Sequence, residues 1–404
     1  MKVTEIKKGI YWVGAVDWGI RDFHGYIIPE GTSYNNYLIM DDSPTLIDTV
    51  KHDFAHITLD NIRSLIDPHK IRYVVINHIE PDHASSAVEI MEACPLATMY
   101  MTEKGRNGLA KYFDISKWTI HTVKTGDRLP IGKRTLMFVE TPMLHWPDSM
   151  FTYVQEEKLL FSQDVFGQHI ATACRFDDEY TDCESVSMLE DAVLDYYANI
   201  LMPFGSLTKM KLDEVAKLKL EIDMIAPDHG IIWRKGVSKI VRMYQDMASL
   251  KARLSVAIIY DTMWESTAQM VQPILNGVLD GGVECKVIKL RATPMSVAVK
   301  ELWRGRGAII GSPTLNNGLF PSVAEFLRYL RGLRPKGRLM GAFGSMGWSG
   351  GAVKEAYGEF EKMGLEVVQP GIECIHRPDA TDVEKCYQYG LEFAKRVKEY
   401  DGKF

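Results

Sequence analysis

The segment His78-Ile79-Glu80-Pro81-Asp82-His83 follows an apolar run at 73–76 that we predict to be a buried strand. It brings two imidazoles and two carboxylates within six positions. A chain that leaves a strand can curl, and Pro81 stiffens that curl by fixing one backbone angle, so all four side chains can converge. The segment therefore predicts a metal site at the end of a strand.

Three more candidate ligands follow predicted strands further along the chain. They are His145, Asp164 and His229, after strands predicted at 135–140, 158–163 and 222–227. Sites on open sheets usually lie at such strand ends. Nitrogen and oxygen ligands without thiolate suit iron, manganese or zinc. Because Asp164 can bridge two ions with its two oxygens, we expect two metals about 3.5–4 Å apart.

The composition is typical of a soluble globular protein of two to three domains. The 404 residues are 46% hydrophobic and 25% charged, with a formal net charge of −6, which argues against a nucleic-acid partner. No apolar run is long enough to span a membrane, and the first residues lack the apolar core of a signal peptide. We therefore predict a cytoplasmic protein without a membrane partner.

The six cysteines form no C-x-x-C pair. We expect them to be mostly buried thiols rather than a disulfide framework. We therefore expect no rubredoxin-like iron site within this sequence, and we expect any such electron carrier to be a separate protein.

The pattern changes near residue 250, where strands and helices begin to alternate. Predicted strands lie at 255–260, 284–290, 308–312, 339–345 and 366–369, and predicted helices at 266–280, 296–304, 321–332, 350–363 and 379–399. This alternation indicates a five-stranded, doubly wound parallel sheet. We therefore predict two domains, residues 1–250 and residues 251–404.

The first loop of the second domain predicts a phosphate site. Thr262-Met263-Trp264-Glu265-Ser266-Thr267 joins a strand to a helix, and hydroxyls and N–H groups at a helix N-terminus bind phosphate. Neither G-x-G-x-x-G nor a Walker A lysine is present, which suits a single terminal phosphate, as in FMN. Two later loops supply donors for the flavin ring, with Trp348 to stack on it. They are Pro313-Thr314-Leu315-Asn316-Asn317-Gly318 and Ser345-Met346-Gly347-Trp348-Ser349-Gly350.

The order H-x-x-x-D-H, His, Asp, His resembles the metallo-β-lactamase pattern. Hydrolases of that superfamily usually carry histidine at the third position of the loop and bind zinc. Here Glu80 stands at that position. A carboxylate adds hard oxygen ligation, which favours iron and redox chemistry over hydrolysis.

Together with the FMN loops, these motifs make the chain resemble the flavodiiron proteins, also called A-type flavoproteins. The resemblance implies an α/β fold, with a metallo-β-lactamase-like αββα sandwich followed by a flavodoxin-like doubly wound parallel sheet. It implies one iron held by His78, Glu80, His145 and Asp164, and a second held by Asp82, His83, Asp164 and His229. It also puts His24 and Tyr26 near the substrate pocket. The phosphate loop departs from the usual family form, because Trp264 and Glu265 stand where Tyr and Gly are common.

The resemblance further implies an oxidase that reduces O2 to water, with electrons passing through FMN to two irons. The sequence is most similar to the methanogen branch, which implies reduced coenzyme F420 as the donor; a separate rubredoxin is the alternative. A head-to-tail homodimer, or a dimer of dimers, would bring the FMN of one chain to the irons of the next. Three other hypotheses stay open: a nitric oxide reductase, a zinc hydrolase with a flavodoxin-like module, and an electron carrier whose lactamase domain is inert.

Overall fold

The computed structural model describes residues 3–402, and they form two compact units. The first contains the residues up to Phe23, Ile28–Tyr196 and Phe204–Gln245, and the second contains His24–Ile27, Tyr197–Pro203 and the residues from Asp246 onward. The sequence predicts a single boundary at 250/251. The structure differs in that two short segments from the first half of the chain pack with the C-terminal unit.

A seven-stranded sheet comes first along the chain, in the order β1-β2-β7-β8-β9-β10-β11. Strand β3 pairs with β6, and β4 with β5, in two small separate sheets. The strands are β1 (Thr4–Lys7), β2 (Ile10–Trp12), β3 (Ala15–Asp17), β4 (Asp22–Phe23), β5 (Tyr26–Ile27), β6 (Thr32–Tyr34), β7 (Tyr37–Ile39), β8 (Thr45–Ile47), β9 (Tyr73–Val75), β10 (Thr98–Met101) and β11 (Thr119–Thr122).

A five-stranded sheet follows in the order β12-β13-β14-β15-β16. Its strands are β12 (Arg128–Pro130), β13 (Thr135–Glu140), β14 (Met150–Val154), β15 (Leu159–Phe161) and β16 (Met224–Ala226). The helices up to residue 248 are α1 (Ala55–Arg63), α2 (Pro81–Ala84), α3 (Ala87–Ala93), α4 (Glu103–Tyr112), α5 (Cys183–Tyr196), α6 (Gly205–Lys217) and α7 (Val237–Ala248).

The alternation of side chains along β7 explains how these layers pack. Tyr37 and Ile39 join a core that also contains Phe138 and Phe161 of the second sheet. Leu38, between them, joins a different core with residues of α1, α3 and α4. Because successive residues of a strand face opposite sides, one strand serves a sheet–sheet core and a sheet–helix core at once.

The second unit is built on a fully parallel sheet in the order β18-β17-β19-β20-β21. Its strands are β17 (Arg253–Tyr260), β18 (Glu284–Lys289), β19 (Gly305–Gly311), β20 (Leu339–Met346), β21 (Glu366–Val367) and β22 (Ile372–Ile375), and its helices are α8 (Ser266–Asp280), α9 (Met295–Arg304), α10 (Pro321–Leu333), α11 (Ala352–Lys362) and α12 (Ala380–Glu399). The central strands are apolar on both faces because helices cover both. The predicted fold class, a lactamase-like domain followed by a flavodoxin-like domain, is confirmed.

One prediction about this sheet was wrong. The fifth strand predicted at 366–369 is shorter, β21 at 366–367, and an unpredicted strand, β22, follows at 372–375; the two pair in parallel with different parts of β20. Pro370 and Gly371 lie between them. Proline has no N–H for the ladder, so pairing stops there and resumes at Ile372.

Two further properties concern the chain as a whole. Within residues 3–402, no helix combines the length and apolar character that crossing a membrane requires. Of the six cysteines, Cys94, Cys374 and Cys386 are buried, whereas Cys183 is exposed. Burial raises the pKa of both Cys94 and Cys386 to about 12, so these two thiols stay protonated at neutral pH.

Candidate metal centre and flavin pocket

All seven predicted metal ligands follow strand ends of the first unit, and all are at least nine-tenths buried. The segment 78–83 leaves β9, and Pro81 begins the short helix α2. His145 follows β13, Asp164 follows β15 and His229 follows β16. Residues far apart in sequence therefore meet because their strands end at the same edges of the two packed sheets.

One group of donor atoms surrounds the first candidate metal position. His145 Nε2 lies 3.1 Å from Glu80 Oε2 and 3.0 Å from Asp164 Oδ2. His78 Nε2 lies 3.2 Å from the same Glu80 oxygen and 3.5 Å from the same Asp164 oxygen. The four residues offer ligand atoms that all lie within 4.8 Å of one another, the spacing of one ion's coordination sphere.

The second group uses the other oxygen of Asp164. Asp164 Oδ1 lies 2.9 Å from His83 Nε2 and 3.5 Å from His229 Nε2. Asp82 Oδ2 faces the same two nitrogens, at 3.5 and 3.2 Å. Because each Asp164 oxygen faces one group, this carboxylate is placed to bridge two ions, and His83 points into the second position.

Metal ions would satisfy the buried polar atoms of this site better than the atoms satisfy one another. Both carboxylate oxygens of Asp82 and the Nε2 atoms of His83 and His229 are buried, and within residues 3–402 none of them makes a hydrogen bond of acceptable geometry. Buried polar atoms are normally paired, so such a gap calls for an explanation. Two cations would satisfy these atoms together, and oxygen and imidazole ligands suit iron.

The electrostatics lead to the same conclusion. Burial lowers the pKa of His78, but hydrogen bonds with Asp148 and Glu80 and the charge of Asp164 outweigh it and raise that pKa well above its usual value. The pKa of His83 is likewise raised, because Asp82 and Asp164 outweigh its burial. A site that holds protons on its imidazoles this strongly has an excess of negative charge, which metal ions would neutralise in place of protons.

Several residues that support the ligands were missed by the sequence analysis. Asp148 Oδ2 accepts a hydrogen bond from the Ile79 N–H at 2.8 Å and lies 3.4 Å from His78 Nδ1. Asp228 Oδ2 lies 3.6 Å from His83 Nδ1. Partners of this kind hold the ring so that Nε2 faces the metal. The feature that could have indicated Asp148 and Asp228 is their closeness in sequence to His145 and His229.

Two further contacts connect the segments that carry ligands. Gln163 donates from Nε2 to the Leu144 carbonyl at 2.5 Å and accepts from the Asp164 N–H at 2.6 Å, which ties the loop of His145 to Asp164. His229 Nδ1 lies 2.7 Å from the Ser33 carbonyl and so donates to it, leaving Nε2 for the metal.

A separate cavity of about 640 Å³ lies in the second unit, where all three predicted flavin loops meet. Its volume is in the range of pockets that hold cofactors. Thirteen predicted residues line it: Met263, Trp264, Ser266, Pro313, Thr314, Leu315, Asn316, Asn317, Ser345, Met346, Gly347, Trp348 and Ser349. The other five predicted residues lie in the same loops without lining it: Thr262, Glu265, Thr267, Gly318 and Gly350.

The cavity also has two lining residues that the sequence analysis missed, His376 and Arg377. They follow β22, the strand that the sequence did not predict. The His376 N–H donates to the Met346 carbonyl at 2.7 Å, and Arg377 Nε donates to Gln269 Oε1 at 3.0 Å. The two residues were therefore missed because the strand that precedes them was missed.

The phosphate end of the cavity fits FMN. The loop leads into α8, whose first N–H groups have no partners within the helix. Thr262 lies in this loop without lining the cavity, and its buried hydroxyl makes no hydrogen bond within residues 3–402. Thr267 and Ser345 pair through their hydroxyls at 2.8 Å, which joins this loop to the third one.

Glu265, the departure from the usual loop form, keeps its carboxylate out of the cavity. It has a positive φ of 63° at the start of α8, a backbone conformation that favours glycine. Its side chain is 64% exposed and lies 3.9 Å from Lys289. The carboxylate is therefore partly balanced by a lysine and does not line the place expected for phosphate.

His24 and Tyr26 lie in a short hairpin. His24 and Gly25 both have positive φ, as tight two-residue hairpin turns require, with His24 exposed and Tyr26 buried. Their segment, His24–Ile27, belongs to the second unit. Their role near a substrate pocket remains a prediction.

Comparison with known proteins agrees with both sites. The model of the ODP family beta lactamases matches residues 32–230, and the flavodoxin model matches residues 258–390. A nitric oxide reductase from Moorella thermoacetica is 44% identical over 97% of this chain and 98% of its own length.

Two solved structures have the same fold over nearly the whole chain. The rubredoxin oxygen:oxidoreductase from Desulfovibrio gigas is 38% identical, with a TM-score of 0.95 over 99% of both chains. The flavodiiron protein from Giardia intestinalis is 37% identical, with a TM-score of 0.95 over 99% of this chain and 98% of that one. The chain therefore belongs to the flavodiiron proteins, oxidoreductases whose cofactors are FMN in the flavodoxin-like domain and a pair of iron ions in the lactamase-like domain.

Proposed function

We propose that this protein is an oxidase that reduces O2 to two waters, using electrons that enter through FMN from reduced coenzyme F420. The observation that carries the proposal is the ligand set of four imidazoles and three carboxylates around two adjacent positions. Such hard ligands favour iron and stabilise its oxidised state. Iron bound there would supply one-electron chemistry and a place for the gas, and FMN would supply the conversion of two-electron donation into single-electron steps.

The protein's own residues would orient the ligands and exclude water. Trp146 packs edge-on against the His78 ring, with centroids 5.3 Å apart. On the other side, the His169 ring lies 4.8 Å from the His229 ring and 4.3 Å from the Phe23 ring. These neighbouring rings would leave the ligand imidazoles few alternative orientations. They would also exclude water and keep the local dielectric constant low, which strengthens each charge interaction in the site.

The donor is proposed from the form of the flavin cavity and from the resemblance to the methanogen branch. Trp264 and Trp348 line the cavity and are 83% and 96% exposed, so their ring faces are open to a planar molecule such as a deazaflavin. The competing donor is a separate rubredoxin, because the 38% identical Desulfovibrio gigas protein is named for it.

The donor is tested by mixing the purified, iron- and FMN-loaded enzyme with reduced F420 and O2. We expect oxidation of two F420 molecules for each O2 consumed, because reduction of O2 to two waters takes four electrons and four protons. Reduced rubredoxin is the parallel arm. If F420 is oxidised only when rubredoxin and a rubredoxin reductase are added, the F420 assignment is wrong and the rubredoxin alternative stands.

Nitric oxide is the second candidate substrate, since the 44% identical relative from Moorella thermoacetica is named a nitric oxide reductase. The reaction would join two NO molecules into N2O and water with two electrons and two protons. With one donor and equal gas concentrations, we expect faster turnover with O2. A ratio in favour of NO would reverse the order of the two proposals.

We also propose that the active species is a head-to-tail homodimer, alone or as a dimer of dimers, in which one chain's FMN serves the partner's irons. The test mixes two inactive variants, one without the iron ligand Asp164 and one without a functional flavin loop. Activity in the mixed dimer requires transfer between chains. If verified mixed dimers show no activity, this arrangement is wrong.

A further inference from the structure

A buried carboxylate lies directly before the phosphate loop. Asp261 follows β17 and is completely buried. Its Oδ1 accepts a hydrogen bond from the Thr262 N–H at 2.8 Å, and its Oδ2 accepts one from the Ser322 hydroxyl at 2.5 Å. The carboxylate therefore connects the phosphate loop to the first turn of α10.

Arg291 pairs with this carboxylate from the short turn at 290–292 that follows β18. Its Nε lies 3.0 Å from Asp261 Oδ1 and 2.9 Å from Oδ2. One of its terminal nitrogens donates to the Thr262 carbonyl, and its guanidinium lies 5.0 Å from the centre of the Phe320 ring. The Arg291 side chain is 53% exposed, whereas the Asp261 side chain is completely buried.

The position of Asp261 is unfavourable for binding phosphate. Thr262, whose N–H and carbonyl both contact the pair, is the first residue of the loop proposed to hold the FMN phosphate. A buried negative charge this close would repel a phosphate dianion, because there is little water to screen it. A paired arginine cancels most of that repulsion and adds its own attraction for phosphate.

We propose that Asp261 and Arg291 form a charge-balanced pair that sets the selectivity of this pocket for a phosphorylated flavin over riboflavin. Asp261 orders the loop through hydrogen bonds that do not need its charge, and Arg291 keeps that charge from opposing the phosphate. The inference rests on the placement of the FMN phosphate at Thr262–Thr267.

The test measures FMN and riboflavin affinity of the full-length, iron-loaded, deflavinated protein by quenching of flavin fluorescence. Riboflavin lacks the phosphate, so it reports loop order without the charge effect. In Arg291→Gln, we expect the Kd for FMN to rise about tenfold and that for riboflavin to change less than about twofold. The FMN deficit should shrink at high salt.

Asp261→Asn gives the more discriminating result. An asparagine can keep its oxygen at the Oδ1 position, where it accepts from the Thr262 N–H and the Arg291 Nε–H, and its amide can donate to the Ser322 hydroxyl oxygen. The loop then stays ordered while Arg291 becomes an uncompensated cation. We expect FMN to bind about three- to tenfold more tightly and riboflavin to be unchanged. The double variant D261N/R291Q should return to near the wild-type FMN affinity, and it keeps the test informative if R291Q alone fails to fold.

The matched control is Lys289→Gln, which removes a cation two residues before Arg291, at the end of β18 and 3.9 Å from the exposed Glu265. We expect its FMN affinity to stay within about twofold of wild type, because exposed charges are screened. Equal losses for FMN and riboflavin in R291Q, weaker FMN binding in D261N, or a K289Q effect as large as that of R291Q would each overturn the pair alone. Equal wild-type affinity for the two flavins would overturn the phosphate placement itself.

Discussion

The metal centre gathers seven ionisable side chains that are all at least nine-tenths buried, whereas the flavin cavity is open and two of its tryptophans are 83% and 96% exposed. The first site is made of side chains whose charges are tolerable only with cations between them. The second is made of loops at the ends of a parallel sheet whose core is apolar. The comparison indicates that loss of the metal ions should lower the stability of the first domain far more than loss of the flavin lowers the stability of the second.

The largest effect is expected from Asp164→Ala, which removes the carboxylate facing both metal positions. Iron content should fall from two per chain to below one, and turnover should fall by more than about 100-fold, since even indirect metal supports are worth 10–100-fold. FMN content should stay near one per chain. Elemental analysis and the flavin absorbance of the same sample measure both quantities.

The control for this variant is Asp60→Ala, an exposed carboxylate paired with Arg63 on α1. It should leave iron, FMN and turnover unchanged. If Asp164→Ala retained two irons, the bridging role would be wrong; if it lost FMN as well, the contrast between the two sites would fail.

Next in size is Arg338→Leu, which tests whether the flavodoxin-like unit depends on one buried charge. Arg338 is fully buried and donates to the carbonyls of Trp303, Leu250 and Gly337. Its guanidinium carbon lies 4.1 Å from the centre of the Trp303 ring. Leucine would leave these carbonyls unpaired, so we expect a loss of about 3–5 kcal/mol in the free energy of unfolding.

Urea unfolding followed by circular dichroism and by FMN release measures this loss. Arg328→Leu, at an exposed position of α10, is the matched control and should change stability by less than about 0.5 kcal/mol. Equal effects of the two substitutions would show that the buried arginine is not the source of the stability.

A smaller effect is expected from Asp148→Ala, which leaves every proposed metal ligand in place. Asp148 accepts a hydrogen bond from the Ile79 N–H and faces His78 Nδ1, so its loss would free the His78 imidazole to rotate. We expect iron affinity at the first position to fall about 10- to 100-fold, as measured by competition with a chelator. Asp148→Asn should retain more of the affinity than alanine does. An unchanged affinity in both would mean that packing alone orients His78.

The smallest effect is expected from Glu265→Gly in the flavin loop. Glu265 has a positive φ of 63°, and glycine would remove the strain of that conformation, which is about 1–2 kcal/mol. Glycine would also cost about 0.5–1 kcal/mol because it loses more backbone entropy on folding. We therefore expect a net gain in stability below about 1 kcal/mol. FMN affinity should stay within about twofold of wild type, because the carboxylate does not line the cavity. A large change in FMN affinity would place that carboxylate at the phosphate after all.

The same two sites differ in how far the sequence could predict them. All seven proposed metal ligands were identifiable from the sequence, because each is a metal-capable residue just past an apolar run. Asp148 and Asp228 were not, since an acid near a ligand is common and its direction depends on the folded loop. Thirteen flavin-cavity residues were predicted from three loops, but His376 and Arg377 were missed because the interruption at Pro370 hid the strand that carries them.

The alternatives left open by the sequence now separate. Membership of a family of di-iron oxidoreductases removes the zinc hydrolase and the inert lactamase domain. It leaves the choice of O2 or NO, and of F420 or rubredoxin, to the experiments proposed above.

The sequence by itself determined the order of the elements, the two fold types and the chemistry of the ligands, because these depend on local periodicity and on the side chains present. The tertiary structure alone decided which oxygen of Asp164 faces which group, which acids hold the histidines, and that Glu265 faces Lys289 instead of the cavity. Those features depend on distances between segments far apart in the chain, and such distances are set by how the sheets and helices pack.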